Sequence, residues 1–278
     1  VDNSSDGEDV LAEATAALTA TFGDRLAAVY ALGSLAHGGF SPLVSDVDVA
    51  AILTDPLAAT DAAAVHRVGA ALRAGGSALH ERVSLFWGSP ASLRDGTAAG
   101  RFPPLDRLCL FEHGRLLAGA EIRADLPRPA RAELIVAGAQ FALDVLADQV
   151  VQYAADPAGL LAAGVRRATK VVLFPARFLL TAETGEEGTN DAAVRHYLDG
   201  HSGPAADLVA AAFQWRTTAP SGQTAIALLH AGFVALYDDY LGDHIARLTE
   251  LGEPVLAEQF GGWRRRLRAA APGATPGY

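Results

Sequence analysis

The stretch Leu32-Gly33-Ser34-Leu35-Ala36-His37-Gly38-Gly39-Phe40-Ser41-Pro42-Leu43-Val44-Ser45-Asp46-Val47-Asp48-Val49 decides how this sequence is read. The apolar run 26–32 before it predicts a strand, stopped by Gly33. The Gly/Ser/Pro-rich residues 34–45 read as a loop with one helical turn. Residues 46–53 alternate at first and then become wholly apolar, the pattern of a buried strand. Gly33 lets a polyphosphate approach the backbone without a Cβ in the way. Ser34 adds a hydroxyl, and N–H groups at a helix start add further donors. Asp46 and Asp48, two apart on a strand, place both carboxylates on one face. That pair suits Mg²⁺, which takes oxygen ligands and completes its shell with water and phosphate.

Working outward, residues 9–21 and 61–74 have helical spacing, and 1–7 read as a polar tail. Residues 82–87 form a third strand. Residues 105–111 and 115–118 read as a hairpin around His113-Gly114, after which Pro127 and Pro129 punctuate the chain. Beyond them, 130–155, 158–182, 189–199, 203–216, 222–247 and 253–270 all read as helices, with Pro175 predicted to kink the second. The expected fold class is therefore α+β: a small mixed-sheet domain over residues 1–127, then an all-α helical bundle over 128–278.

Composition narrows the function classes. The 278 residues are 50% hydrophobic and 19% charged, with 22 Lys+Arg against 32 Asp+Glu and a net charge of −10. Such a chain buries a sizeable core and is not dominated by disorder. The acidic balance disfavours non-specific nucleic-acid binding and suits a cationic small molecule. No uncharged apolar run reaches transmembrane length, so no membrane partner is expected. The start, VDNSSDGEDV, has no basic and apolar signal pattern, and Val1 reads as a GTG start. Cys109 is the single cysteine, which excludes an internal disulfide and makes the cytoplasm the default compartment.

Gly33-Ser34, the spacer and Ser45-Asp46-Val47-Asp48 between two strands resemble the signature of the polymerase-β-like nucleotidyltransferase superfamily. Thr184-Gly185 and Asp191 at a helix start, preceded by Val171-Val172-Leu173 and Arg177, look like the helical domain of aminoglycoside 3″-adenylyltransferases of the streptomycin/spectinomycin type. The two parts span residues 26 to about 200. The resemblance implies that ATP is a co-substrate and that Mg²⁺ sits on Asp46 and Asp48. AMP passes to a hydroxyl of a small, cationic acceptor such as an aminoglycoside or aminocyclitol. Gly33, Ser34 and Ser45 would hold the nucleotide, joined by Lys170, which clusters with Arg166 and Arg167. Asp191 would hold the acceptor. The family's third carboxylate aligns with Arg82, with Glu81 one residue earlier. A bulge would bring Glu81 into the site as the third catalytic carboxylate; Glu112 is a weaker candidate. The family's aromatic contact to the drug aligns with Leu179, where it is absent.

Several candidates have bland readings beside the functional ones. Glu81 is equally an exposed charge at a strand start, and Asp191 an ordinary first-turn acid. Arg166, Arg167 and Lys170 read as a solvated face. Tyr237, Asp238, Asp239, Tyr240, Asp243 and His244 could line a cation pocket or a half-buried helix face. His37 could touch a ligand or simply be exposed. Trp263-Arg264-Arg265-Arg266-Leu267-Arg268 reads as a basic helix end rather than an RNA contact. Two further functions stay open: the same fold acting on a protein or tRNA, and a nucleotide-binding module without transfer chemistry.

Overall fold

The computed structural model describes residues 5–96 and 99–270. The chain divides into two compact units, Val1–Pro129 and Ala130–Tyr278. The first is built around a four-stranded sheet. In order it holds α1 (Ser5–Phe22), β1 (Leu26–Leu32), α2 (Gly33–Ala36), β2 (Val47–Leu53), α3 (Asp61–Arg73), β3 (Val83–Gly88), α4 (Pro90–Asp95), α5 (Pro104–His113) and β4 (Arg115–Gly119). The strand order is β3-β2-β1-β4. β1 runs antiparallel to both β2 and β4, and β2 runs parallel to β3.

Both faces of the sheet are covered, which is why β1 and β2 read as nearly unbroken apolar runs. One face carries Val29, Ala31, Val49, Ala51 and Leu85 and packs on Val10, Leu11, Ala14 and Leu18 of α1 and on Val65, Val68 and Leu72 of α3. The other carries Ala28, Tyr30, Leu32, Ala50, Ile52 and Phe86 under Leu93 of α4 and Cys109 and Leu110 of α5. The parallel step from β2 to β3 needs a crossover, and α3 supplies it.

Two expectations for this unit are corrected. Residues 105–111 are not a strand: they lie in α5, and β4 pairs with β1 instead of closing a hairpin. Pro104 at the first helical position and Asp106 in the first turn start that helix. Of the polar tail, residues 1–4 lie outside the described residues, and Ser5-Asp6-Gly7 already belong to α1. Gly7 is buried there, with Phe40 so close that a Cβ would sit 3.0 Å from its ring.

The second unit is all helix: α6 (Arg131–Val145), α7 (Ala147–Ala155), α8 (Pro157–Ala162), α9 (Val165–Thr184), α10 (Asn190–Gly200), α11 (Pro204–Gln214), α12 (Gly222–Glu250) and α13 (Pro254–Ala270). The single helix expected over 130–155 breaks at Leu146 with a 55° bend. The one expected over 158–182 is divided by Gly164, at φ +99°, a value that suits only glycine. α9 then runs through Pro175 without ending. Its core gathers Phe233, Tyr237, Tyr240, Phe260 and Trp263, all buried. The basic end of α13 is spent on structure: Arg264 and Arg268 both hold Asp238, at 2.6–2.8 Å. Among the described residues no single helix is long and apolar enough to cross a membrane.

Candidate functional site

β1 ends at Leu32, paired in register with Asp48 of β2. The chain then turns at Gly33, whose φ of +57° is left-handed and favours a residue without Cβ. One helical turn follows, closed by the His37 N–H donating to the Gly33 carbonyl at 3.2 Å. A Cβ on Gly33 would lie 2.6 Å from Asp48 Oδ2, so the carboxylate rests directly against the Gly-Ser turn. The Gly33 N–H donates to Cys109 Sγ at 3.1 Å. Gly33 therefore contributes space to this corner, while its own amide is directed to α5.

Asp46 stands one residue before β2. Burial alternates along Ser45, Asp46, Val47, Asp48 and Val49, with the two carboxylates at the half-exposed positions. This puts them on the side of the sheet that carries Ala50 and Ile52. Ser45 is buried, and its Oγ accepts from the Ser41 N–H at 3.0 Å while its own N–H donates to the Ser41 carbonyl at 2.8 Å. Its hydroxyl thus closes the turn that delivers Asp46. The same turn is held from β3's side, where Arg82 Nη1 donates to the carbonyl of Pro42 at 2.9 Å and of Leu43 at 3.4 Å.

Glu81 lies outside β3, exposed in a 3-10 turn over His80–Arg82. The β2–β3 register runs from Val47↔Val83 to Ile52↔Gly88 without a shift, so the paired residues of β3 hold no bulge. Arg82 precedes β3 as Asp46 precedes β2. Next to Asp48 stands Ser84, a neighbour that sequence reasoning missed because nothing in the residues themselves shows the parallel pairing. Glu112, the weaker candidate, ends α5 and is ion-paired with Arg128. His37 caps α2, its ring 5.7 Å from that of His113 in an edge-on contact.

The donors of this corner are hard oxygens: two carboxylates on half-exposed positions, with the Ser84 hydroxyl alongside. They fit Mg²⁺, which is held by one or two carboxylates and leaves its other positions to water and phosphate.

In the helical unit, Arg166, Arg167 and Lys170 are half-buried on α9, and Arg167 donates to Gln149. Asp191 is exposed in the first turn of α10, paired with Arg195 at 2.7 Å. Leu179 follows Phe178, which stacks on Phe174 at 5.7 Å. Of the Tyr237–His244 set, Tyr237, Tyr240 and His244 are buried in the core while Asp239 is exposed, and the Tyr237 hydroxyl donates to the Val171 carbonyl at 2.7 Å. Burial pushes the Tyr240 hydroxyl well above its ordinary pKa. Asp243 is half-buried and pairs with Arg247; although burial opposes ionisation, His244 and Arg247 bring its carboxyl down to about 2.

No family model and no curated relative matches the sequence. Among solved structures the chain is similar to the spectinomycin adenyltransferase AAD(9) from Enterococcus faecialis, crystallised with ATP and spectinomycin. The TM-score is 0.58 at 12% identity, over 94% of this chain and 99% of that one. The likeness is one of fold: an α+β domain with a small mixed sheet, joined to a helical domain.

Proposed function

We propose that the chain is an ATP-dependent nucleotidyltransferase that moves AMP to a hydroxyl of a small, cationic acceptor of the aminoglycoside or aminocyclitol class. The observation that carries this reading is the corner itself: the Asp48 carboxylate lies against the glycine of a Gly-Ser turn, with Asp46 on the same side. Its setting supports it, since the solved fold relative binds ATP and spectinomycin. In this reading the acceptor oxygen bonds to the α-phosphorus of ATP, the bond to the bridging oxygen breaks, pyrophosphate leaves and the hydroxyl proton is released.

Asp46 and Asp48 hold Mg²⁺, which when bound supplies charge stabilisation at the reacting phosphate. Ser34 binds phosphate, Gly33 gives the backbone clearance, and Ser45 acts by fixing the turn before Asp46. In the helical unit Lys170 is the candidate for an anion and Asp191 the candidate for a cationic group. Positioning and electrostatics carry most of such a reaction. The net charge of −10 favours encounter with a cation over a nucleic acid.

Mass spectrometry tests this. The protein is incubated with ATP, Mg²⁺ and a panel of aminoglycosides and aminocyclitols, with an Asp46→Ala/Asp48→Ala double variant as control. A product one AMP heavier, missing with the variant, is expected. ATP bound in a Mg²⁺-dependent way with no product would move the assignment to a macromolecular acceptor or a binding module.

A further inference from the structure

We infer that the Asp46/Asp48 site takes one divalent cation with the nucleotide, and that Arg82 is the residue that excludes a second. The inference rests on the transferase reading and deepens it.

The residues flanking the two carboxylates set how much positive charge the site can take. Asp46 and Asp48 occupy the half-exposed positions leading into β2. On the adjacent strand the corresponding positions are Arg82, just before Val83, and Ser84, paired with Asp48. Neither is an acid. The unshifted register leaves Glu81 in the exposed turn before β3. A pair of divalent cations about 3.5–4 Å apart brings four positive charges to two carboxylates and the nucleotide's phosphates, with no third protein carboxylate on the adjacent strand. At the position beside Asp46 the neighbouring strand sets an arginine where a third carboxylate would offset that charge. Arginine cannot shed its charge at any working pH. Nor is this arginine free to swing away, because Nη1 is anchored on the Pro42 and Leu43 carbonyls in the turn that delivers Asp46.

Manganese reports the cation count directly. Electron paramagnetic resonance is recorded on the full chain with a non-hydrolysable ATP analogue and increasing Mn²⁺. We expect one Mn²⁺ per protein–analogue complex, with the spectrum of an isolated ion. Arg82→Glu is expected to bind two, with the broadened spectrum of a coupled pair. If Arg82→Glu does not fold by circular dichroism, Arg82→Gln serves, and its second Mn²⁺ should bind at least about tenfold tighter than any second ion on the wild type. A coupled pair in the wild type overturns the inference. A folded Arg82 variant that still refuses a second ion removes Arg82 from the role. Bound Mn²⁺ that is unchanged in the Asp46→Ala/Asp48→Ala variant, or no analogue binding at all, overturns the transferase reading itself and the inference with it.

Discussion

Asp48 occupies the space that a side chain on Gly33 would need, its Oδ2 2.6 Å from where the Cβ would be. Gly33→Ala must therefore push the carboxylate away or reshape the turn, and it also places alanine at φ +57°. The backbone cost is about 1–2 kcal/mol. A displacement of about 1 Å at a reacting centre costs on the order of 100-fold in rate. We expect a modest fall in melting temperature with a large loss of AMP transfer, read by calorimetry and by turnover on the same preparation.

Cys109 accepts the Gly33 N–H. Cys109→Val keeps an apolar side chain under the sheet but removes the acceptor. Losing the acceptor of this part-buried donor costs up to about 1 kcal/mol, since water can take its place. The valine variant should be less stable by that amount in urea, and its KM for ATP should rise as the turn loses its anchor. Cys109→Ser retains an acceptor and should lie between valine and wild type in KM.

Acid stability should depend on Asp238. Its carboxyl is held well below the usual range by hydrogen bonds from Arg264 and Arg268. Because the folded pKa is depressed, the stabilisation is complete above the ordinary value of about 3.9 and is lost as pH falls through the lowered one. Asp238→Asn should cost about 1 kcal/mol at neutral pH, discounted because Arg268 is largely exposed. The wild type should then lose stability more steeply than the variant below about pH 4. Urea midpoints across that range provide the check.

Gly232 is where α11 and α12 come close. A Cβ there would stand 2.2 Å from the Pro204 carbonyl oxygen and 3.0 Å from Leu208 Cβ, so backbone must move. Gly232→Ala should destabilise by about 1–3 kcal/mol. Gly261→Ala on α13 meets only a flexible arginine end at 3.5 Å and gains helix propensity, so its melting temperature should hold or rise.

The sequence showed the ends of β1 and β2 because glycine and aspartate punctuate two apolar runs. It misplaced α5 because Leu105, Leu108, Cys109, Leu110 and Phe111 crowd together without a clean period, and only the prolines before them mark a helix start. The α6–α7 bend at Leu146 has no glycine or proline to announce it. At the site, the Gly-Ser turn and the Asp-x-Asp pair were readable as local spacing. Cys109 and Arg82 were not seen in their structural roles, since both act through contacts far along the chain: Cys109 is 76 residues from Gly33, and Arg82 is 40 from Pro42.

That difference in distance along the chain also sets an order of assembly. Leu32 and Asp48 belong to neighbouring antiparallel strands, so their meeting closes a short loop and is available early, when only local contacts have formed. The sulfur that takes the Gly33 amide arrives later, when α5 docks on the sheet. The corner is thus outlined by two strands close in sequence and locked by a helix 76 residues further along the chain.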